Sequence, residues 1–149
     1  MKEKVWLRQA QKSDIAFCAE LIRKEFGKKP YNEKWSKGKA WNAVKKAMQR
    51  EPRLCFIAMK GEKRTGMVFG WESHFEPEGK GYFIEEFIIA EEFQGQGIGK
   101  KTLQLIEKKL AKKGFKVISL LSHKKAFAFV FYQKNNFKEY GLTYLKKIL

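Results

Sequence analysis

The turn Gln94-Gly95-Gln96-Gly97-Ile98-Gly99 carries three glycines at alternate positions. It joins a β-rich run, Phe83 to Ile89, to a helical run that begins with Lys100 and Lys101. Glycine lets a ligand come close to the backbone, and the free N–H groups of a helix N-terminus point at what lies there. The chemistry suited to this turn is anion binding, a pyrophosphate in particular. Spacing excludes two familiar phosphate loops. A P-loop would place glycine where Gln94 stands and Lys-Ser/Thr where Lys100-Lys101 stand. The dinucleotide fingerprint would place its third glycine at Lys100 and would not follow an antiparallel hairpin.

The elements that must position this turn can be read from periodicity. Residues 4–9 alternate as a short strand, and Ser13-Asp14 caps an amphipathic helix over 14–26 built on Ile15, Cys18, Leu21/Ile22 and Phe26. After a loop from Gly27 to Asn32, a second helix runs from the Ser36 cap to about Arg50, with Trp41, Val44 and Met48 as its apolar stripe. Leu54–Met59 and Thr65–Trp71 form an antiparallel hairpin around Gly61-Glu62-Lys63-Arg64, and Glu76-Pro77-Glu78-Gly79 is a further turn. Tyr82 to Ala90 is the strongest strand pattern in the chain. The helix after it uses Ile98, Leu103, Ile106 and Leu110 and stops at Gly114. Lys116 to Ser122 reads as a buried strand, Lys125 to Gln133 as a helix covered on most sides, and Phe137 to Ile148 as one or two closing strands. The expected product is one domain spanning residues 1–149, an α/β fold with a mixed, mostly antiparallel sheet of six to seven strands and about four helices on both faces.

At this point the sequence resembles the GCN5-related N-acetyltransferases. Gln94-x-x-Gly97-x-Gly99 between strand and helix is similar to the acetyl-CoA signature of that family. Ala128-x-x-Phe131-Tyr132-x-x-x-Asn136-Phe137, after the strand Val117 to Ser122, is similar to its A-x-x-[LF]-Y-x-x-x-G-F. The resemblance implies acetyl-CoA as co-substrate and an acetyltransferase activity toward an amine. It implies that backbone groups in Phe87-Ile88-Ile89 pair with the pantetheine arm, and that N–H groups from Gly95 through Gln96, Gly97, Ile98 and Gly99 to Lys100 hold the pyrophosphate. Lys100, Lys101, His123, Lys124 and Lys125 are placed to add charge. Lys125 stands where the family often has an asparagine, and Asn136 where it has glycine, a backbone position asparagine tolerates.

Amide formation needs a deprotonated amine, an activated thioester and a proton for the leaving thiolate. Tyr132 matches the family's general acid. Glu86, acting directly or through water, is the favoured base and Glu85 the alternative; neighbours on a regular strand point to opposite faces, so only one of the pair should face the acceptor. Tyr31, Glu33 and Trp35, in the loop between two helices, either pack on the sheet or wall an acceptor pocket.

Charge bears on the acceptor. The chain of 149 residues has 32 basic and 16 acidic residues, a formal +16, which draws polyanions. Seven of those acids, Glu72, Glu76, Glu78, Glu85, Glu86, Glu91 and Glu92, fall within residues 72–92. Lining a cleft, they would favour a small cationic amine such as a polyamine, an aminoglycoside or a peptide lysine. Against this, residues 23–50 hold ten basic residues with only Glu25 and Glu33. A nucleic-acid-associated role, a protein-lysine or N-terminal acetyltransferase, and a non-catalytic acyl-CoA-binding protein stay open. Cys18 and Cys55 lie in apolar runs and read as core thiols. No metal site is expected. Without a signal peptide or a ~20-residue apolar span the protein is read as cytoplasmic, as a monomer or homodimer, with no membrane partner and nucleic acid not favoured.

Overall fold

The computed structural model describes residues 3–75 and 77–149; Glu76 of the acidic run lies outside them. The order is β1 (Val5–Gln9), α1 (Ile15–Phe26), α2 (Lys37–Arg50), β2 (Cys55–Lys60), β3 (Lys63–Phe75), β4 (Gly79–Ile89), α3 (Ile98–Lys112), β5 (Val117–Leu120) and α4 (Phe127–Lys134). The strands lie in sequence order in one sheet, antiparallel from β1 to β4, with β5 parallel to β4 at the edge.

Alternation along the strands divides the core. Cys55, Ile57, Met59, Met67, Phe69 and Ile88 meet Cys18 and Ile22 of α1 and Ala40, Val44 and Ala47 of α2 on one face. Phe56, Val68, Tyr82 and Ile84 meet Ile106 and Leu110 of α3 on the other. Helices thus cover both faces, as the pattern predicts. Asp14, wholly buried, joins β1 to α1: Arg8 donates to its two oxygens at 2.7 and 2.8 Å, Arg64 donates at 3.3 Å and the Gln11 N–H at 2.7 Å.

Glu86 pairs with Phe69 and Ile84 with Gly70, so Glu85 is an extra residue in β4, a bulge. Gly70 is required beside it. A Cβ there would meet the Phe83 carbonyl and the Tyr82 ring, whose hydroxyl donates across the sheet to the Leu54 carbonyl at 2.8 Å.

Several expectations are corrected. Trp41 is 42% exposed; the buried stripe of α2 is Ala40, Val44 and Ala47, small residues that let it close on α1. β5 is half-buried rather than buried, because no strand covers its outer edge. α4 is not covered on most sides: Phe127 is 96% and Val130 46% exposed. Residues 137–148 form no strand, so the sheet has five strands among the described residues instead of six or seven. No helix of the described residues is long and apolar enough to cross a membrane.

Candidate active site

The glycine turn has the predicted form. Gly95 (φ 74°) and Gly97 (φ 77°) take left-handed backbone that other residues adopt at a cost, and Gly97 is the N-cap of α3 with no side chain bonded to the helix start. The first N–H groups of α3 therefore lack intrahelical partners. A Cβ on either glycine would meet nothing, and residues 94–97 are exposed, so the turn is open to a ligand. Beside it an open cleft of about 580 Å3 is lined by Lys60, Gln96, Gly97, Ile98 and Lys101 among others. Gln94 braces the turn: its side-chain amide donates to the Ile89 carbonyl at 2.8 Å. Gln96 donates to the Glu92 carbonyl at 3.1 Å. Gly99 lies against Phe131, which would touch a Cβ there at ordinary contact distance.

A wedge opens beside this turn. Pairing of β4 with β5 runs from Gly81–Val117 to Ile84–Leu120 and stops, while β4 continues to Ile89. Among the described residues, the stretch from Glu85 to Ile89 has no strand on that side. The Phe87 ring lies there against Phe131 (5.9 Å) and Tyr132 (6.3 Å) of α4, and Tyr132 also meets Phe137 at 5.2 Å. These rings bury Tyr132, and burial, then Tyr31 and Glu86, push its hydroxyl well above the ordinary tyrosine range. It keeps its proton at any ordinary pH.

The bulge decides the glutamates, and it overturns the expectation that strand alternation puts them on opposite faces. Glu85 reaches Arg50 of α2 at 3.2 Å, and Arg50 also lies over the Trp71 ring at 4.6 Å. Glu86 turns to the same helical side, where its charge reaches Tyr31 and Tyr132 and where Glu33 acts on it. Its Oε2 is shielded from solvent and has no hydrogen-bond partner among the described residues. Burial first, then Glu85 and Glu33, push its carboxyl up to about 8. A half-buried carboxyl with one shielded, partnerless oxygen, pushed up to about 8, is suited to proton transfer.

The loop between α1 and α2 splits the expected trio. Tyr31 packs edge-on against Phe26 (4.8 Å) and toward His123 (6.1 Å), and burial, then Glu25, Glu86 and Glu33, raise its hydroxyl. Trp35 instead packs on the core, its indole donating to Glu33 at 2.6 Å while Arg23 donates to its carbonyl at 3.0 Å. Tyr31 and Glu33 therefore stand near Glu86, with Trp35 holding Glu33 in place. His123 belongs with Tyr31. Lys124 is paired with Glu139 at 3.1 Å, and Lys125 and Lys100 are exposed. Arg50, which fixes Glu85, has no signal in the sequence; its partner lies 35 positions away.

The acidic run does not gather in one cleft. Glu78 lies near the β3–β4 turn and Glu91 beyond the other end of β4, roughly 30 Å apart for an eleven-residue strand. Glu72 pairs with Lys80, Glu91 with Lys28 and Glu85 with Arg50, while Glu85 and Glu33 are the acids that act on Glu86. The cysteines are inert: burial raises both thiols, that of Cys55 to about 12.

Residues 15–137 match the model of the acetyltransferase (GNAT) family. The chain belongs to this family. A possible acetyltransferase from Clostridium difficile 630 shares the fold at a TM-score of 0.82 and 15% identity over 99% of each chain. Aminoglycoside N-acetyltransferase AAC(6')-Iy in complex with CoA superposes at 0.74, with 15% identity, over 99% of this chain and 97% of the other. An aminoglycoside acetyltransferase, meta-AAC0020, from an uncultured soil metagenomic sample, in complex with trehalose, gives 0.71 and 18% identity over 97% and 96%. No curated protein sequence matches. At these identities the structural likeness is one of fold.

Proposed function

We propose that residues 1–149 form one N-acetyltransferase domain that moves the acetyl group of acetyl-CoA to a primary amine by direct attack in a ternary complex. The observation that carries this reading is the partnerless Oε2 of Glu86, buried on the wedge side of β4 and electrostatically coupled to Tyr132. The residues present fit acetyl-CoA. The stretch Phe87-Ile88-Ile89, paired with β3 on one side and without a strand on the β5 side, offers its free backbone groups to the pantetheine amides. Gly95 to Lys100 offer N–H groups to the pyrophosphate, and Lys101 and Lys125 supply charge near the phosphates. Acetyl-CoA supplies the thioester; the chain supplies orientation and proton transfer.

Glu86, once ionised, takes a proton from the ammonium of the acceptor, directly or through one water. The freed amine nitrogen attacks the thioester carbonyl, the C–N bond forms and the C–S bond breaks, Tyr132 gives its proton to the departing sulfur, and the second proton that the nitrogen sheds on becoming an amide returns to Tyr132. Glu33, Glu85 and the face of Tyr31 give the acceptor side an acidic, aromatic wall, which favours a small cationic amine. The aminoglycoside acetyltransferases among the fold relatives are consistent with that class.

The test is CoA release from acetyl-CoA with polyamines, aminoglycosides, amino acids and a lysine peptide. Turnover is expected with the polycationic small amines. Acetyl-CoA binding without CoA release across the whole panel would favour a non-catalytic acyl-CoA-binding protein and refute this reading.

A further inference from the structure

Arg50, the last residue of α2, makes more than a surface ion pair. Its guanidinium lies 4.6 Å from the centre of the Trp71 ring, and its Nη1 stands 3.2 Å from Glu85 Oε2. An aromatic face and a carboxylate are two groups that select a cation, and here they converge on one. Trp71 is paired across the sheet with Phe83, the ring centroids 4.7 Å apart at 30°. Among the described residues, neither ring joins the core cluster on either face. Both are half-buried, and Trp71 lies just past the end of α2. The cation between them and the acid is not locked in: the Arg50 side chain is 48% exposed.

This cation site adjoins the base. Glu85 precedes Glu86 in β4, and the bulge turns both to the α2 side. Phe83 and its partner Trp71 lie three residues back, roughly 10 Å along the strand. We infer that the Trp71 face and the Glu85 carboxylate form a second cation subsite of the acceptor pocket, filled by Arg50 in the free protein, and that the acceptor is a short diamine whose far ammonium displaces this guanidinium. The inference rests on Glu86 as the base that receives the near nitrogen. With one nitrogen at Glu86 and the other between Glu85 and Trp71, the two stand roughly 4–10 Å apart, one to three residues of strand.

Exchange of one cation for another never leaves the Glu85 carboxylate without a partner, which avoids the cost of a partly buried, unpaired charge. The released Arg50 head passes into water from a position already half in it. A monoamine brings no group to Trp71 and leaves Arg50 in place. Arg50 is thus a specificity-determining residue, an internal competitor that only a second ammonium replaces.

Calorimetry of the protein without acetyl-CoA tests this with cadaverine and pentylamine, one carbon chain bearing two nitrogens or one. The wild type is expected to bind the diamine about tenfold more tightly. Arg50→Gln, which removes the competitor, should bind cadaverine about tenfold more tightly again and pentylamine as before, and Trp71→Leu should lose the preference. A role for Arg50 confined to bracing the bulge predicts weaker or unchanged diamine binding in Arg50→Gln. That result, equal wild-type affinities for the two amines, no binding of cadaverine, or a preference that survives Trp71→Leu would each overturn the inference. Circular dichroism checks the fold of both variants, and Arg50→Gln decides alone if the leucine variant does not fold. Cadaverine binding without CoA release would count against acetyl transfer and leave the subsite standing. CoA release as fast with pentylamine as with cadaverine would do the reverse.

Discussion

Replacing Glu86 with Gln removes a carboxyl group that the fold holds largely protonated at neutral pH. Its value of about 8 lies above the ordinary 4.5, so between these limits the folded protein binds more protons than the unfolded chain. Unfolding free energy therefore falls as pH rises from 4.5 to 8; below 4.5 both states are protonated and the penalty is absent. The full shift corresponds to an upper limit of roughly 5 kcal/mol at ~1.4 kcal/mol per unit. Because Glu86 is only half-buried, solvent screening reduces the expected figure to about 2–3 kcal/mol above pH 8. Gln carries no charge and no such penalty. Glu86→Gln should match the wild type in thermal stability at pH 4.5 and exceed it by roughly 5–10 °C at pH 8.5. In the same variant kcat/KM should fall by about 10² or more, and the wild-type profile should rise with pH through a group near 8. The thermal series needs no substrate, so it separates Glu86 from the titration of the amine. A stability difference that does not change with pH would refute the burial argument; retained turnover would refute the role as base.

Tyr132→Phe should lower kcat by about 10² while leaving acetyl-CoA affinity within a few-fold, measured by initial rates and calorimetry; equal turnover would remove the general acid. Gly97→Val forces a β-branched residue to φ 77° at the mouth of the turn, so acetyl-CoA should no longer raise the melting temperature, whereas the apo fold should lose only ~1–2 kcal/mol. Asp14→Asn removes a buried charge shared by Arg8 and Arg64 and should cost about 3 kcal/mol in denaturant unfolding at pH 7. Although burial opposes its ionisation, the hydrogen bonds from Arg8, Gln11 and Arg64 hold the Asp14 carboxyl below its ordinary range. Its stabilising contribution is present above the unfolded value and lost as pH falls through the folded one, so the two proteins should converge in acid.

The features that spacing alone determined are those governed by local backbone geometry. The alternate glycines from Gly95 to Gly99, the Ser36 cap and the period-2 runs of β2, β3 and β4 each restrict φ and ψ within a few residues, so their order and the open N-terminus of α3 were legible. Ala128 to Phe137 carried the family for the same reason: it places Tyr132 by helical spacing from Ala128. Other features depend on what packs from a distance. Only the register against Phe69 and Gly70 makes Glu85 a bulge, which turns Glu85 and Glu86 to one side and leaves one oxygen of Glu86 shielded and partnerless. Tyr31 acquires its place from His123, and Trp41 loses its expected burial to Ala40 and Ala47 because α2 closes on α1 through small residues. The tail shows the limit most directly. The alternation of Tyr140, Leu142 and Tyr144 encodes a strand, but a strand exists only with a partner for its backbone N–H and C=O groups, and tertiary structure decides whether one is within reach.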